Sequence, residues 1–229
     1  MSAGAEGLLL VDKPAGITSH DVVQLVRRIY GERSIGHLGT LDPFATGLLI
    51  LLVGRFTRLA NFIVTEPKLY EATIRFGAET DTDDCTGEAV REAPTPSLEA
   101  IQDAIPSLTG RILQVPPSYS AKSIEGVRAY DAARKGDPLE LEPVEVDVAR
   151  WVIRAARESE LDVTIECGTG TYIRSLARDL GRASGSAAHL SSLRRVRSGE
   201  FDVAHAVTVE KLKEDPPRLT TLTVVASNA

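Results

Sequence analysis

Apolar residues recur along the chain at two spacings, one suited to strands and one to helices. Gly7–Val11 is an unbroken apolar run and reads as a buried strand. Thr18-x-x-Asp21 opens a helix in the manner of a capping box, and Val22, Val26 and Ile29 give that helix its apolar stripe. Leu48–Val53 is again wholly apolar and reads as a buried strand, followed by a short helix over Thr57–Val64. Tyr70–Phe76 alternates polar and apolar positions, predicting a half-buried strand whose neighbour lies near Glu88–Val90, across the acidic loop 79–86. Pro94-Thr95-Pro96 breaks the pattern, and Ser97 caps a helix running through Ile105.

Residues 111–142 are the loosest stretch, rich in proline, with a helix predicted from Gly126 to Lys135. Val144–Ile153 and Leu161–Cys167 read as strands. Tyr172–Ala183 reads as a helix with Ile173, Leu176, Ala177 and Leu180 on one face, and a strand near Leu193–Val196 leads on to Phe201–Val203. Strands and helices alternate irregularly, which predicts an α+β domain on a mixed sheet and not a doubly wound fold.

Composition narrows the function classes. The 229 residues are 43% hydrophobic and 25% charged, as in ordinary globular proteins. No apolar run approaches the ~20 residues that span a bilayer, and Leu8–Val11 is too short for a signal-peptide core. Cys85 and Cys167 form no Cys-x-x-Cys pair, so a reducing cytoplasm is expected. A net charge of −6 counts against nonspecific polyanion binding. A local basic groove could override it, built from Arg27-Arg28, Arg55 with Arg58, Arg111, Lys122 with Arg128, Arg134-Lys135, or Arg194-Arg195 with Arg197.

Cofactor signatures fail one by one. Gly168-x-Gly170 lacks the third glycine of a dinucleotide fingerprint, and no P-loop exists. Asp81-x-Asp83 begins like a calcium loop, but Cys85 and Thr86 occupy the next ligand and glycine positions. His20, His37, His189 and His205 have no zinc spacing. No metal and no cofactor is therefore expected, and the chemistry must come from side chains.

One stretch concentrates that chemistry. Gly36-His37-Leu38-Gly39-Thr40-Leu41-Asp42-Pro43 presents a single carboxylate, Asp42, on a glycine-flanked connector that runs into the Leu48–Val53 strand. Pro43 pushes Asp42 toward extended backbone, while Gly39 and Gly47 permit tight paths and close approach.

The string Gly36-His37-x-Gly39-Thr40-Leu41-Asp42-Pro43-x-Ala45-x-Gly47-Leu48-Leu49 closely resembles the catalytic motif of the TruB family of tRNA pseudouridine synthases. Further matches follow in the family's order over about residues 7–200. They are Val11-Asp12-Lys13-Pro14 through Thr18-Ser19; Lys68-x-Tyr70 with Thr80–Asp84 and Gly87; Pro116-Pro117-x-Tyr119-Ser120-Ala121-Lys122 with Ala129-Tyr130; Gly170–Leu176 with Asp179-Leu180-Gly181; and His189-Leu190 with Leu193-Arg194-Arg195.

The resemblance implies a pseudouridine synthase fold with a central mixed sheet, flanking helices and an RNA-binding cleft. It implies isomerisation of uridine-55 in the T-loop of tRNA to pseudouridine, through a flipped-out uridine and without a cofactor. It assigns Asp42 as the catalytic carboxylate, Tyr70 as the stacking platform and a candidate C5 proton acceptor, and Arg174 as the partner that keeps Asp42 ionised. Tyr172 and Leu193 are implied to line the uridine pocket, His37 to meet the RNA near the flipped base, and Asp84 to contact RNA bases. Lys13 is assigned to support of the active-site loops or the RNA backbone. Whether Asp42 attacks ribose, attacks uracil or removes a ribose proton stays open, and acylal and glycal courses both fit one aspartate.

Read without the resemblance, Tyr70 is an ordinary strand tyrosine, Arg174 a surface arginine near a helix start, and Asp84 part of a solvated acidic loop. The expected organisation is a catalytic domain over 1–205, with an RNA-clasping insertion at about 111–142 and a short tail over 206–229. That tail is too small for the C-terminal PUA domain common in the family. Leu38 is a smaller departure, where the family often has threonine. No membrane association and no obligate protein partner is implied, and a monomer is expected. The rival readings are an RNA-binding or tRNA-folding module, and a synthase acting on a different RNA.

Overall fold

A computed structural model of the chain describes residues 5–120, 123–124, 127–128, 139 and 141–220. In chain order the elements begin with β1 (Gly7–Lys13), α1 (Ser19–Tyr30), β2 (Ile35–Leu38), β3 (Thr46–Val53) and a 3-10 segment over Gly54–Phe62. Next come β4 (Lys68–Phe76), β5 (Ala78–Thr80), β6 (Ala89–Glu92), α2 (Leu98–Ala104) and β7 (Gly110–Gln114). The two-residue strands β8 (Ser123–Ile124) and β9 (Val127–Arg128) precede β10 (Val144–Ala156), β11 (Glu160–Cys167) and α3 (Ile173–Ala183). The last are β12 (Ala188–Ser198), β13 (Phe201–Asp202), β14 (Val207–Thr208) and α4 (Val209–Glu214). The chain divides into two compact units, one reaching to Glu66 and resuming at Arg194, the other spanning Pro67–Leu193.

In the first unit the strand order is β14-β1-β3-β12, with β2 also on β3 and β13 on β12. β1 runs antiparallel to β3 and parallel to β14, and β3 is parallel to β12, so the sheet is mixed. β3 is buried on both faces, which is why its sequence does not alternate. Leu49, Leu51 and Val53 join Val22, Val23 and Val26 of α1 in one core. Leu48, Ile50 and Leu52 pack on the other side with Phe56, Ala60 and Ile63. α1 starts where the sequence predicts: Thr18 accepts from the Asp21 amide and the Asp21 carboxylate returns to the Thr18 amide. A cap of this kind is worth about 1 kcal/mol. The short helix expected over Thr57–Val64 forms as a 3-10 segment over Gly54–Phe62.

Residues 207–214 are folded into this unit. β14 extends β1, and Val209 and Leu212 of α4 enter the same core as α1.

In the second unit the order is β12-β4-β11-β10-β7. β4 shows the alternation read from sequence, with Lys68, Tyr70, Ala72, Ile74 and Phe76 all buried. Its partners are β11 and β12, however, and the expected neighbour near Glu88–Val90 is instead β6, which pairs with β5 in a separate hairpin. Every β6 residue is exposed, so it lacks the apolar face a half-buried sheet requires. Of the helix expected from Gly126 to Lys135, Val127–Arg128 instead pairs with Ser123–Ile124; Gly126 and 129–135 lie outside the described residues. Among the described residues no helix is long and apolar enough to cross a membrane.

Gly47 is where the first unit's sheet is least forgiving. Its φ is +101°, and a Cβ there would sit 2.8 Å from Arg195 N and closer still to the Arg195 carbonyl oxygen. Gly47→Ala is expected to destabilise the protein by roughly 2 kcal/mol or more, read as a lower urea midpoint. A midpoint equal to wild type would show that β3 and β12 tolerate separation at this register.

Candidate active site

Asp42 sits on the connector between β2 and β3, and the main chain of that connector is held carbonyl by carbonyl. Arg195 of β12 donates from Nη2 to Gly39 O at 3.0 Å and from Nη1 to Thr40 O at 3.5 Å. Ser19, buried at the start of α1, brackets Leu41: its hydroxyl accepts from the Leu41 amide at 2.9 Å and donates to the Leu41 carbonyl at 3.0 Å. The Asp42 carbonyl accepts from the Ala45 amide at 3.1 Å. Pro43 O accepts from the Gly16 amide at 2.8 Å and from Lys13 Nζ at 3.3 Å.

Lys13 is fully buried at the end of β1. Its ammonium has three protons, and three carbonyls receive them: Pro14 at 2.9 Å, Ile17 at 2.8 Å and Pro43. Burial pushes its pKa down to about 8, and the negative charges of Asp42 and Asp21 resist that fall. Lys13 is thus charged at neutral pH and contributes a positive field at Asp42. His37, on β2, has its pKa lowered by burial and then by the positive charge of Arg195. Lys13, His37 and Asp42 therefore share one neighbourhood of the first unit.

In the second unit α3 carries Arg174, with Tyr172 at its N-cap. Its N-cap, Tyr172, has no side-chain cap, and Gln114 of β7 compensates: Oε1 accepts from the Tyr172 amide at 2.8 Å and Nε2 donates to its carbonyl at 3.1 Å. Arg174, Arg178 and Arg182 recur every four residues and so project from one face of the helix. Arg174 donates to Thr82 O and Tyr119 O, both at 2.9 Å, and lies 3.7 Å from the Asp84 carboxylate. Arg178 meets Asp83 at 2.7 Å and Val115 O at 2.9 Å. Arg182 grips both oxygens of Glu79.

Asp83 and Asp84 are buried, which corrects the solvated-loop alternative, and Arg174 is 4% exposed, which corrects the surface alternative. The Asp84 Oδ1 accepts from the hydroxyls of Thr82 and Thr86 and from the Thr86 amide. Burial raises the Asp83 pKa to about 6 against the opposing charges of Arg178 and Arg174. Tyr70 is buried on β4 opposite Ile165, and Leu193 is buried on the neighbouring strand β12.

The basic candidates fare unevenly. Arg195 is not a surface group but 1% exposed, Arg194 forms a bidentate pair with Asp12, and Arg55 pairs with Glu6. Lys122 and Arg134-Lys135 lie outside the described residues. Ser19, Gln114, Arg178 and the inward role of Arg195 were not read from sequence. The usable signal for Arg195 was its parity with Leu193 along a strand; for Arg178 it was the four-residue spacing from Arg174.

Comparison with known proteins matches these residues to two adjoining family models. Residues 27–173 match the TruB family pseudouridylate synthase N-terminal domain, and residues 174–217 match the tRNA pseudouridylate synthase B C-terminal domain. The tRNA pseudouridine synthase B of Rhodococcus jostii is 48% identical over 217 residues, covering 92% of this chain and 71% of that protein. That of Thermobifida fusca is 46% identical over 218 residues, covering 91% and 74%. Among solved structures, a chain in a Cbf5-Nop10-Gar1 complex superposes with a TM-score of 0.70 at 27% identity, covering 91% of this chain and 54% of that one. With a family model spanning more than half its length and relatives near one-half identity, the chain belongs to the TruB family of pseudouridylate synthases.

Proposed function

We propose that this protein converts uridine-55 in the T-loop of tRNA to pseudouridine. The reaction is an isomerisation: the bond from uracil N1 to ribose C1′ breaks, the ring turns, C5 bonds to C1′, and the C5 proton leaves while N1 gains one. The observation that carries the reading is the family's whole catalytic string on a connector whose five carbonyls from Gly39 to Pro43 are all hydrogen-bonded. Such a connector holds a carboxylate in one direction, as a positioned catalytic group requires.

In this reading Asp42 is the ionised carboxylate that works beside the sugar. Tyr70 supplies the ring on which the uracil stacks, recovering roughly 1–3 kcal/mol of the few kcal/mol that unstacking costs. Arg174 is the cation that favours the ionised form of Asp42, and Tyr172 and Leu193 line the uridine pocket. His37 meets the RNA near the flipped base, and Asp84 contributes to RNA contact through the loop that it organises. Lys13 supports the Asp42 connector. The reading also has the enzyme acting in the cytoplasm as a monomer on the T-arm, without an obligate protein partner, across a cleft that admits the folded arm.

Asp42→Asn is expected to lose roughly 10⁴-fold or more in turnover on unmodified tRNA, with RNA binding retained; equal pseudouridine yield from both proteins would refute the assignment. Mapping pseudouridines in RNA from cells lacking the protein is expected to show loss at tRNA position 55, and loss confined to another RNA would redirect the substrate.

The Lys13 field supplies a pH dependence. It is full well below pH 8, halved at the lowered pKa of about 8 and lost above it. Turnover should therefore fall on the alkaline side with a midpoint near 8. The stability effect of this group has the opposite sign: an unfolded lysine holds its proton toward pH 10.5, so this contribution to folding improves between about 8 and 10.5. An alkaline fall that persists unchanged in Lys13→Met would assign it to another group.

A further inference from the structure

Arg195, 1% exposed, is the largest fully buried side chain among the described residues. Among the described residues its hydrogen-bond partners are backbone carbonyl oxygens: Leu48 O from Nε at 2.8 Å, Gly39 O from Nη2 at 3.0 Å and Thr40 O from Nη1 at 3.5 Å. A buried guanidinium is costly to keep, and a structural core position would be filled as well by an apolar side chain. What this group does that an apolar one could not is join both arms of the Asp42 connector. Gly39 and Thr40 lie on the incoming arm and Leu48 on the outgoing strand, so one rigid planar fork sets the width of the turn on which Asp42 rides.

The backbone around Arg195 is fixed in turn. Arg195 pairs with Gly47 in the parallel β12–β3 register, and its neighbour Arg194 is locked outward onto Asp12 at 2.7 and 2.9 Å. The close approach at Gly47 is to the Arg195 main chain, so the arginine's backbone lies directly against β3. The guanidinium therefore works from an anchored base toward three main-chain carbonyls.

We propose that Arg195 is a positioning residue for the isomerisation, setting the direction of the Asp42 carboxylate by bridging Gly39 and Thr40 to Leu48. This rests on the proposed function, and it adds a residue that acts through the main chain and does not touch the uridine. Misplacement of a reacting group by about 1 Å can cost on the order of 100-fold in rate, so the effect belongs in the chemical step and not in RNA affinity.

The test uses the full chain and an unmodified tRNA transcript carrying 5-tritiated uridine. Single-turnover tritium release and the Kd for the transcript are measured for wild type, Arg195→Lys, Arg195→Met and Asp42→Asn, with urea unfolding to establish that each variant is folded. Arg195→Met is expected to lose about 30- to 100-fold in rate constant with Kd within about threefold of wild type. Arg195→Lys, which keeps the charge but reaches one arm, should fall between the two. If Arg195→Met does not fold, the lysine variant decides, with about a tenfold rate loss expected at unchanged Kd.

A folded variant at wild-type rate overturns the proposal, as does a rate loss matched by an equal loss of binding. Failure of both variants to fold assigns Arg195 to the core alone and overturns it too. The control separates the two levels. If wild type forms no pseudouridine at position 55, or matches Asp42→Asn, the function itself is wrong; if wild type depends on Asp42 and the Arg195 variants do not slow, only the positioning role is wrong.

Discussion

The placement of Asp42 depends on buried cations that bind main-chain carbonyls. Lys13 and Arg195 are both excluded from water, and their hydrogen bonds reach the connector from opposite ends. Each would be expensive to bury with its protons unmet. Carbonyl oxygens meet them, so both cations keep their positive charge next to the connector. Ser19 completes the arrangement by occupying both polar groups of the residue just before Asp42. The path of the chain through residues 39–43 is therefore set by its backbone, and the side chains of the connector do not have to carry that task.

The second unit solves a related problem with different chemistry. There the arginines of α3 meet carboxylates as well as carbonyls, and the acidic loop is drawn onto the helix at three successive levels: Asp84, Asp83 and Glu79. Buried ion pairs are poor sources of net stability, but breaking one is costly, so they penalise alternative arrangements. The loop pays locally, since Asp83 is the non-glycine residue with positive φ among those described, at +60°. The same helix fixes the 115–120 segment through Ser175, Arg178 and Arg174, which bond Val115 O and Tyr119 O. One helix face thereby orders two loops that the sequence places far apart.

Much of this was legible in the sequence where local rules dominate. The Thr18–Asp21 cap, the doubly buried β3 and the alternation of β4 each follow from residue type and spacing over a few positions. The family motif located Asp42, and Pro43 with two glycines indicated a constrained connector. Strand pairing was not legible, because partners are chosen across the whole chain: β4 takes β11 and β12 in place of the nearby Glu88–Val90, which has no face to bury. Burial of charge was not legible either. Arg195 reads as one of a basic cluster until the register with β3 turns it inward, and Asp83-Asp84 reads as solvated until α3 brings its arginines.

Because the connector is gripped through its peptide groups, it is not a portable motif. Transplanting the string from Gly36 to Leu49 into another scaffold would carry the carboxylate but leave behind a lysine thirty positions upstream of the carbonyl it serves, a serine at a helix start, and an arginine on a strand 156 residues away from Gly39. Natural variation should follow the same division, with drift permitted in the side chains riding on the turn and resisted at the distant anchors.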